Sequence, residues 1–280
     1  MPAVCVILGV AVALCALRPI GYAGGDYRGS WAEQELSEGY VRGVIRGYPD
    51  GTLRPDFAVT RAEFAAMICR VAGEEENARV ASRLLPAFVD VVSTHWATGY
   101  MRVCYEMGIL RGNDEGRVRP DSPISRVEMV VLAARLSRFL GIDTRQARER
   151  MFGDWVEVPS WAVEDLRFAG ALGLVRGDEL GLLRPNRLAS RAEAITVLMR
   201  VLALEGARWD VFGRVAYWEA ERNLLGVDAG GPLIEVAIGR DTVLYRNGVR
   251  IDATEVPQDS AVGVVLDRDK PRLAAIIVVQ

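Results

Sequence analysis

Between residues 60 and 204 the apolar positions recur at helical spacing. Phe64, Met67, Ile68 and Val71 stand at i, i+3, i+4 and i+7, one buried stripe of an α-helix. Met129, Leu132, Ala133 and Leu136 repeat the stripe, and Ala194, Val197, Leu198 and Val201 repeat it again. Each stripe follows a hydroxyl residue with a glutamate three positions on: Thr60 with Glu63, Ser125 with Glu128, Ser190 with Glu193. This is a capping box, in which the hydroxyl accepts the N3 backbone N–H and the carboxylate reaches back to the N-cap N–H. The three glutamates are therefore read as structural. An earlier helix of about 12 to 15 residues is predicted in each copy, starting around Trp31, Trp96 and Trp161.

These landmarks share one interval of 65 residues. It separates the three tryptophans, Gly47, Gly112 and Gly177, the pairs Arg54-Pro55, Arg119-Pro120 and Arg184-Pro185, and the three capping boxes. Between the two helices of the first copy runs Gly47-Tyr48-Pro49-Asp50-Gly51, a turn in which Pro fixes φ and Gly accepts a positive one. A two-helix unit cannot bury its apolar face alone, whereas three units can share a core. A mutual helical bundle is predicted over about 26–204, with repeats at 26–73, 85–140 and 150–204. The charged stretches 73–83 and 141–150 read as exposed connectors.

After Gly206 the period changes to that of strands. Val211–Tyr217, Leu233–Ile238, Thr242–Tyr245, Val262–Leu266 and Ala274–Val279 are predicted as short strands, and Asn247-Gly248 fits a type I′ hairpin turn. The predicted fold class is α+β: a three-repeat helical bundle followed, over 206–280, by a small all-β barrel or sandwich.

At the other end, Val4–Leu17 is an uncharged apolar run, too short for a membrane span. The small residues Gly21 and Ala23 fit a secretory signal over 1–23, although no Lys or Arg precedes the run. Export is expected, with no membrane span in the mature chain. Cys69 and Cys104 then remain, both in apolar helical segments, either paired or buried as thiols.

Composition narrows the chemistry. A net charge of −3 and a pI near 5.5 argue against nucleic acid as a partner. The single histidine, His95, aligns with Ser30 and Ser160 and reads as a surface or packing residue. No Ser-His-Asp set, cysteine cluster or phosphate loop is evident, so no catalytic residue, metal or cofactor is assigned. Asp241, Asp252, Asp259, Asp267 and Asp269 sit in turn-like segments, where Asp is ordinary.

Gly-Tyr-Pro-Asp-Gly-Thr-Leu-Arg-Pro-Asp at 47–56 and Val-Thr-Arg-Ala-Glu-Phe at 59–64 resemble the signature of S-layer homology domains. Phe88-Val-Asp90 and Phe152-Gly-Asp154 resemble the family's opening segment, for which the first copy has no clear counterpart. The third copy also departs, having Gly177-Asp178-Glu179-Leu180-Gly181 in place of the Pro-Asp-Gly turn. The resemblance implies a pseudo-threefold arrangement that docks exported proteins on the cell wall by binding pyruvylated secondary cell-wall polysaccharide. It places ligands in grooves between repeats, with the arginine of the Thr-Arg-Ala-Glu motif on the acidic sugar.

That arginine is Arg61, Arg126 and Arg191, each at N1 of its helix. A cation there opposes the helix dipole by roughly 0.3–1 kcal/mol, which a bound anion would offset. Ion pairing with acidic neighbours is the competing reading. Arg54, Arg119 and Arg184 are expected to brace the loop. Trp31, Trp96 and Trp161 either anchor the core or stack on sugar rings, and Gly47, Gly112 and Gly177 admit a turn or a close backbone approach. The expected function is non-catalytic wall anchoring, with other surface proteins as further partners. The rivals are a subunit of a surface lattice, in which the β module makes protein contacts, and a hydrolase held by the repeats.

Overall fold

The computed structural model describes residues 25–143, 150–270 and 272–280. The segment read as a signal lies outside the described residues, as does most of the second charged connector. Among the described residues no helix is long and apolar enough to cross a membrane.

Each repeat supplies a short first helix and a long second one. The first copy has α1 (Glu33–Val41) and α2 (Arg61–Val71), and α3 (Glu75–Ala81) follows. The second has α4 (Thr98–Glu106) and α5 (Arg126–Phe139), and the third α6 (Val163–Ala171) and α7 (Arg191–Glu205). All three capping boxes form in full. The three apolar stripes are buried in one core that includes every repeat.

Two expectations about these helices fail. The first helices begin two residues after the tryptophans and run nine residues, not 12 to 15. Gly43, Gly108 and Gly173 stop them, with φ of 68°, 71° and 69° just past each helix end. The connector at 73–83 is not merely exposed either. It contains α3, which buries Ala78 and Ala81 beside α4, turns Glu76 and Arg79 outward, and sets Glu75 to accept from Tyr100 of α4 (3.0 Å).

A closed ring of backbone bonds joins the repeats. Val59 N–H donates to Ala189 O (2.9 Å), Ala189 to Ile124 (2.9 Å) and Ile124 to Val59 (3.0 Å). The residues preceding the three capping boxes thus meet at one point, each pairing with both of the others.

The C-terminal module is a closed five-stranded barrel with one extra strand. In chain order the strands are β1 (Val211–Glu219), β2 (Leu224–Asp228), β3 (Ile234–Arg246), β4 (Val249–Ile251), β5 (Ala261–Leu266) and β6 (Leu273–Val279). They follow the order β2-β1-β5-β6-β3, β3 pairs back to β2, and β4 hangs on β3 by its hairpin. The Asn247-Gly248 turn has φ of 53° and 78°, as a type I′ turn requires. Strands β2 and β4 are not among the strands expected from the sequence, although the Asn-Gly turn that leads into β4 is. The two strands predicted at 233–238 and 242–245 are one long β3, whose pairing with β6 shifts between Ile238 and Val243. There Thr242 Oγ1 accepts from Gly239 N–H (2.8 Å) and donates to the Ala274 carbonyl (2.5 Å), so the bend keeps its polar groups satisfied.

Alternation along the strands sends Val262, Val264, Leu244 and Ile277 inward and Val265, Tyr245, Ile276 and Val278 outward. The outward set packs on Val41 of α1, together with Trp209. The barrel therefore leans on repeat one instead of facing away from it. Glu38, 0% exposed, accepts from Arg208 Nε and Nη2 (2.9 Å each) and from Gln34 (2.7 Å). Ser37 and Tyr245 share a hydrogen bond of 2.8 Å, Arg250 pairs with Glu33, and burial pushes the Tyr245 phenol up to about 12.

Candidate functional site

At each repeat junction the second-helix N-terminus of one copy meets the loop of the next. Arg61 N–H donates to Ser122 O and Ala62 N–H to Pro120 O; Arg126 and Val127 do the same to Arg187 and Pro185, and Arg191 and Ala192 to Phe57 and Pro55. Two of the orphan donors of each helix are thus satisfied by a neighbouring repeat.

The N1 arginines follow their backbones across the same junctions. Arg61 pairs with Glu128, Arg126 with Glu193, and Arg191 with Glu63 (3.1 Å). A bound anion is the simplest offset expected for a cation at a helix start. The structure supplies that anion itself, as the capping glutamate of the next repeat. Each of these glutamates holds its own N-cap and receives a guanidinium from another copy, so its role extends beyond capping. No single copy could reveal this, because the partner lies in another repeat.

The three junctions share this plan and differ in what surrounds it. Between repeats three and one, Arg191 is 4% exposed and fully engaged: Nε donates to Leu53 O (2.8 Å) and Nη2 to Arg46 O (2.9 Å), and its guanidinium lies 4.7 Å from the Tyr48 ring centre. Tyr48 donates to Glu63 (2.7 Å), and Arg54 lies over Tyr48 while pairing with Asp50 (2.8 Å). Between repeats two and three, Arg126 is 11% exposed and donates to Leu183 O (2.8 Å). There Arg187 also joins Glu193, and Arg184 pairs with Asp178 (2.6 Å).

Between repeats one and two, Arg61 is 21% exposed. Burial and the nearby charge of Arg119 pull its guanidinium below the ordinary value. Arg119 itself is exposed and has no carboxylate in ion-pair range among the described residues. The position that supplies Asp178 to Arg184 is occupied here by Asn113, which accepts from the backbone of Glu115 (3.1 Å) and Arg117 (2.9 Å).

Arg54, Arg119 and Arg184 share a feature hidden in the sequence: φ of 50°, 52° and 54°, rare for a residue with a side chain. A carboxylate holds each one. Asp26 accepts from the N–H of Leu53 (3.0 Å) and Arg54 (2.7 Å), Asp90 from Val118 and Arg119 (2.9 and 2.7 Å), and Asp154 from Leu183 and Arg184 (2.8 and 2.6 Å). Burial opposes the charge of Asp90, yet these bonds keep its carboxyl below the usual range. The first copy therefore does have its opening aspartate, Asp26. The sequence signal was the even 64-residue spacing of Asp26, Asp90 and Asp154.

The tryptophans are surface residues: Trp31, Trp96 and Trp161 are each more than half exposed, which rules out the core-anchor reading. Trp96 stacks on His95 with ring centres 5.8 Å apart. His95 bonds Asp121 (3.1 Å), two residues beyond Arg119, so in repeat two a side chain ties the tryptophan segment to the loop. Gly47, Gly112 and Gly177 lie where the loop doubles back: an added Cβ would meet backbone at 3.1–3.2 Å. The third loop keeps the same turn despite its altered residues, because Gly181, like Gly51 and Gly116, takes the positive φ. No cluster of potential metal ligands occurs among the described residues.

Residues 25–65, 87–130 and 152–195 each match the S-layer homology domain. The chain carries three S-layer homology domains. Its relatives include cell surface glycoprotein 1 of Acetivibrio thermocellus, 28% identical over 59% of this chain and 7% of that protein. The cellulosome-anchoring protein of the same organism is 25% identical over 56% of this chain and 35% of its own length. An amylopullulanase of Thermoanaerobacterium thermosulfurigenes is 30% identical over 65% of this chain and 10% of its own length. The chain thus spans well under two thirds of each of these relatives. S-layer homology domains indicate attachment to the cell wall at the cell surface, and that attachment unit is what the helical part of this chain provides.

Proposed function

We propose that this chain is a non-catalytic anchor that holds pyruvylated secondary cell-wall polysaccharide at the junction of repeats one and two. The observation that carries the choice of junction is the Arg119 guanidinium. It is exposed, lacks a carboxylate partner among the described residues, and stands close enough to Arg61 to depress its basicity. A carboxylate on a sugar would relieve that repulsion and accept from donors that no side chain uses. The exposed indole of Trp96, tied through His95 and Asp121 to the same loop, offers an apolar face for a sugar ring. Arg126 and Arg191, with Gly47, Gly112, Gly177, Trp31 and Trp161, belong in this reading to pseudo-equivalent grooves whose guanidinium groups are already engaged.

The test is co-sedimentation with purified cell walls. Arg119→Glu is expected to weaken retention about tenfold, or about 1.4 kcal/mol, with an unchanged melting curve. Walls stripped of pyruvyl groups are expected to lose the wild-type protein to a similar degree. Undiminished retention of Arg119→Glu would move the site elsewhere, and undiminished binding to stripped walls would remove the ketal carboxylate as the ligand group.

A further inference from the structure

We propose that Cys69 and Cys104 become a disulfide that staples repeat one to repeat two. They are the only cysteines in residues 25–280. Two cysteines placed without regard to each other would seldom meet. These do: their sulfur atoms lie 3.6 Å apart, fully buried, where α2 of the first repeat crosses α4 of the second.

The pseudo-threefold sets this crossing beside its two counterparts. The positions equivalent to Cys69 and Cys104 are Ala134 and Ala169 between repeats two and three, and Met199 and Gly39 between repeats three and one. All are buried. Pairs without a thiol therefore satisfy the site, alanine with alanine at one crossing and methionine with glycine at the other, and packing alone gives no reason for a thiol on both sides. As thiols the two sulfurs use weak acceptors across the crossing, Cys69 toward Tyr100 O and Cys104 toward Ala65 O at 3.5 Å each. Both carbonyls belong to residues four positions earlier on the facing helix and serve its own ladder, so the crosslink leaves them satisfied.

The bond forms by exchange with a disulfide donor. One cysteine thiolate attacks a donor sulfur and releases a donor thiol. The second then displaces the mixed disulfide and releases the other donor thiol. The two cysteine protons end on the two donor thiols, and the donor takes up two electrons. In the closed fold the bond to Cys69 and burial push the Cys104 thiol up, so thiolate is scarce and no donor has access. The exchange belongs to folding, before the crossing closes. Oxidation in the cell rests on the cell-surface reading; oxidation in the tube does not.

The experiment uses the full chain recovered from the cell surface and the same chain refolded with and without oxidised glutathione. Each sample is alkylated in denaturant without reductant and examined by peptide mass spectrometry. The expected result is no alkylation of either cysteine in the surface and glutathione samples, and one joined peptide pair two hydrogens lighter than its parts. The crosslinked form should melt roughly 5–10 °C above the reduced form. Alkylation of both cysteines in the surface or glutathione samples would overturn the proposal, and an unchanged melting point would overturn the stapling role. Cys69→Ala and Cys104→Ala are the controls, since the second crossing uses alanine at both positions. Wall retention is scored on the same samples, so a loss of anchoring is seen separately from a loss of the crosslink.

Discussion

The junction between repeats three and one and the junction between repeats one and two are built from the same motif and have opposite surfaces. In the first, Arg191 spends every donor group inside the protein, on Glu63, Leu53 and Arg46, under the ring of Tyr48. In the second, Arg61 is partly open and Arg119 beside it has no carboxylate among the described residues. The difference comes from loop positions that vary between the repeats: Tyr48 and Asp50 at one junction, Asn113 and Glu115 at the other. A repeated motif thus fixes where a cation sits, while the variable residues around it decide whether that cation holds the fold together or remains available to a ligand.

The largest effect should come from removing the sealed arginine. Arg191→Ala leaves Glu63 without its buried partner and is expected to destabilise the protein by about 3–5 kcal/mol in urea unfolding. Arg61→Ala, at a more open junction, should cost about 1 kcal/mol. Equal losses would break the comparison.

A smaller effect sharpens it from the other side. Asn113→Asp gives Arg119 the partner that Asp178 gives Arg184. It should weaken wall retention about threefold without lowering stability, since an exposed pair contributes only some tenths of a kcal/mol. Retention equal to wild type would show that the free guanidinium is not what distinguishes this junction.

The smallest effect is on pH. Asp90 has a depressed folded value, so its contribution is complete above the unfolded carboxylate pKa and fades as pH falls through the folded one. Asp178 behaves likewise, held down by the Leu182 N–H and by Arg184. Stability should therefore fall below about pH 4 and stay flat from there to neutrality as far as these groups are concerned. Asp90→Asn should flatten that acid limb in a pH series of melting curves, and an unaltered limb would show that the clamp on Val118 and Arg119 does not contribute to it.

Much of the helical region is legible in the sequence. The stripes at Phe64, Met129 and Ala194 and the capping boxes before them depend on contacts within one turn or one helix face, so local spacing reports them. The early stops at Gly43, Gly108 and Gly173 are equally local, and the even spacing of Asp26, Asp90 and Asp154 stands in the sequence as well. The barrel was harder. The apolar alternation of β2 is interrupted by Gly226, and β3 bends at a bulge, so short segments of sequence blur both.

By itself the sequence determined three copies of a capped, amphipathic two-helix unit, an arginine at each second-helix start, and a β module after them, because each of these follows from residues a few positions apart. Only the tertiary structure decided that Arg61 reaches Glu128, that Arg191 is sealed while Arg119 is not, and that the barrel covers α1 through Glu38 and Arg208. Those outcomes depend on which surfaces meet when the ring of repeats closes, and Coulomb attraction and burial act on distance in space whatever the separation along the chain.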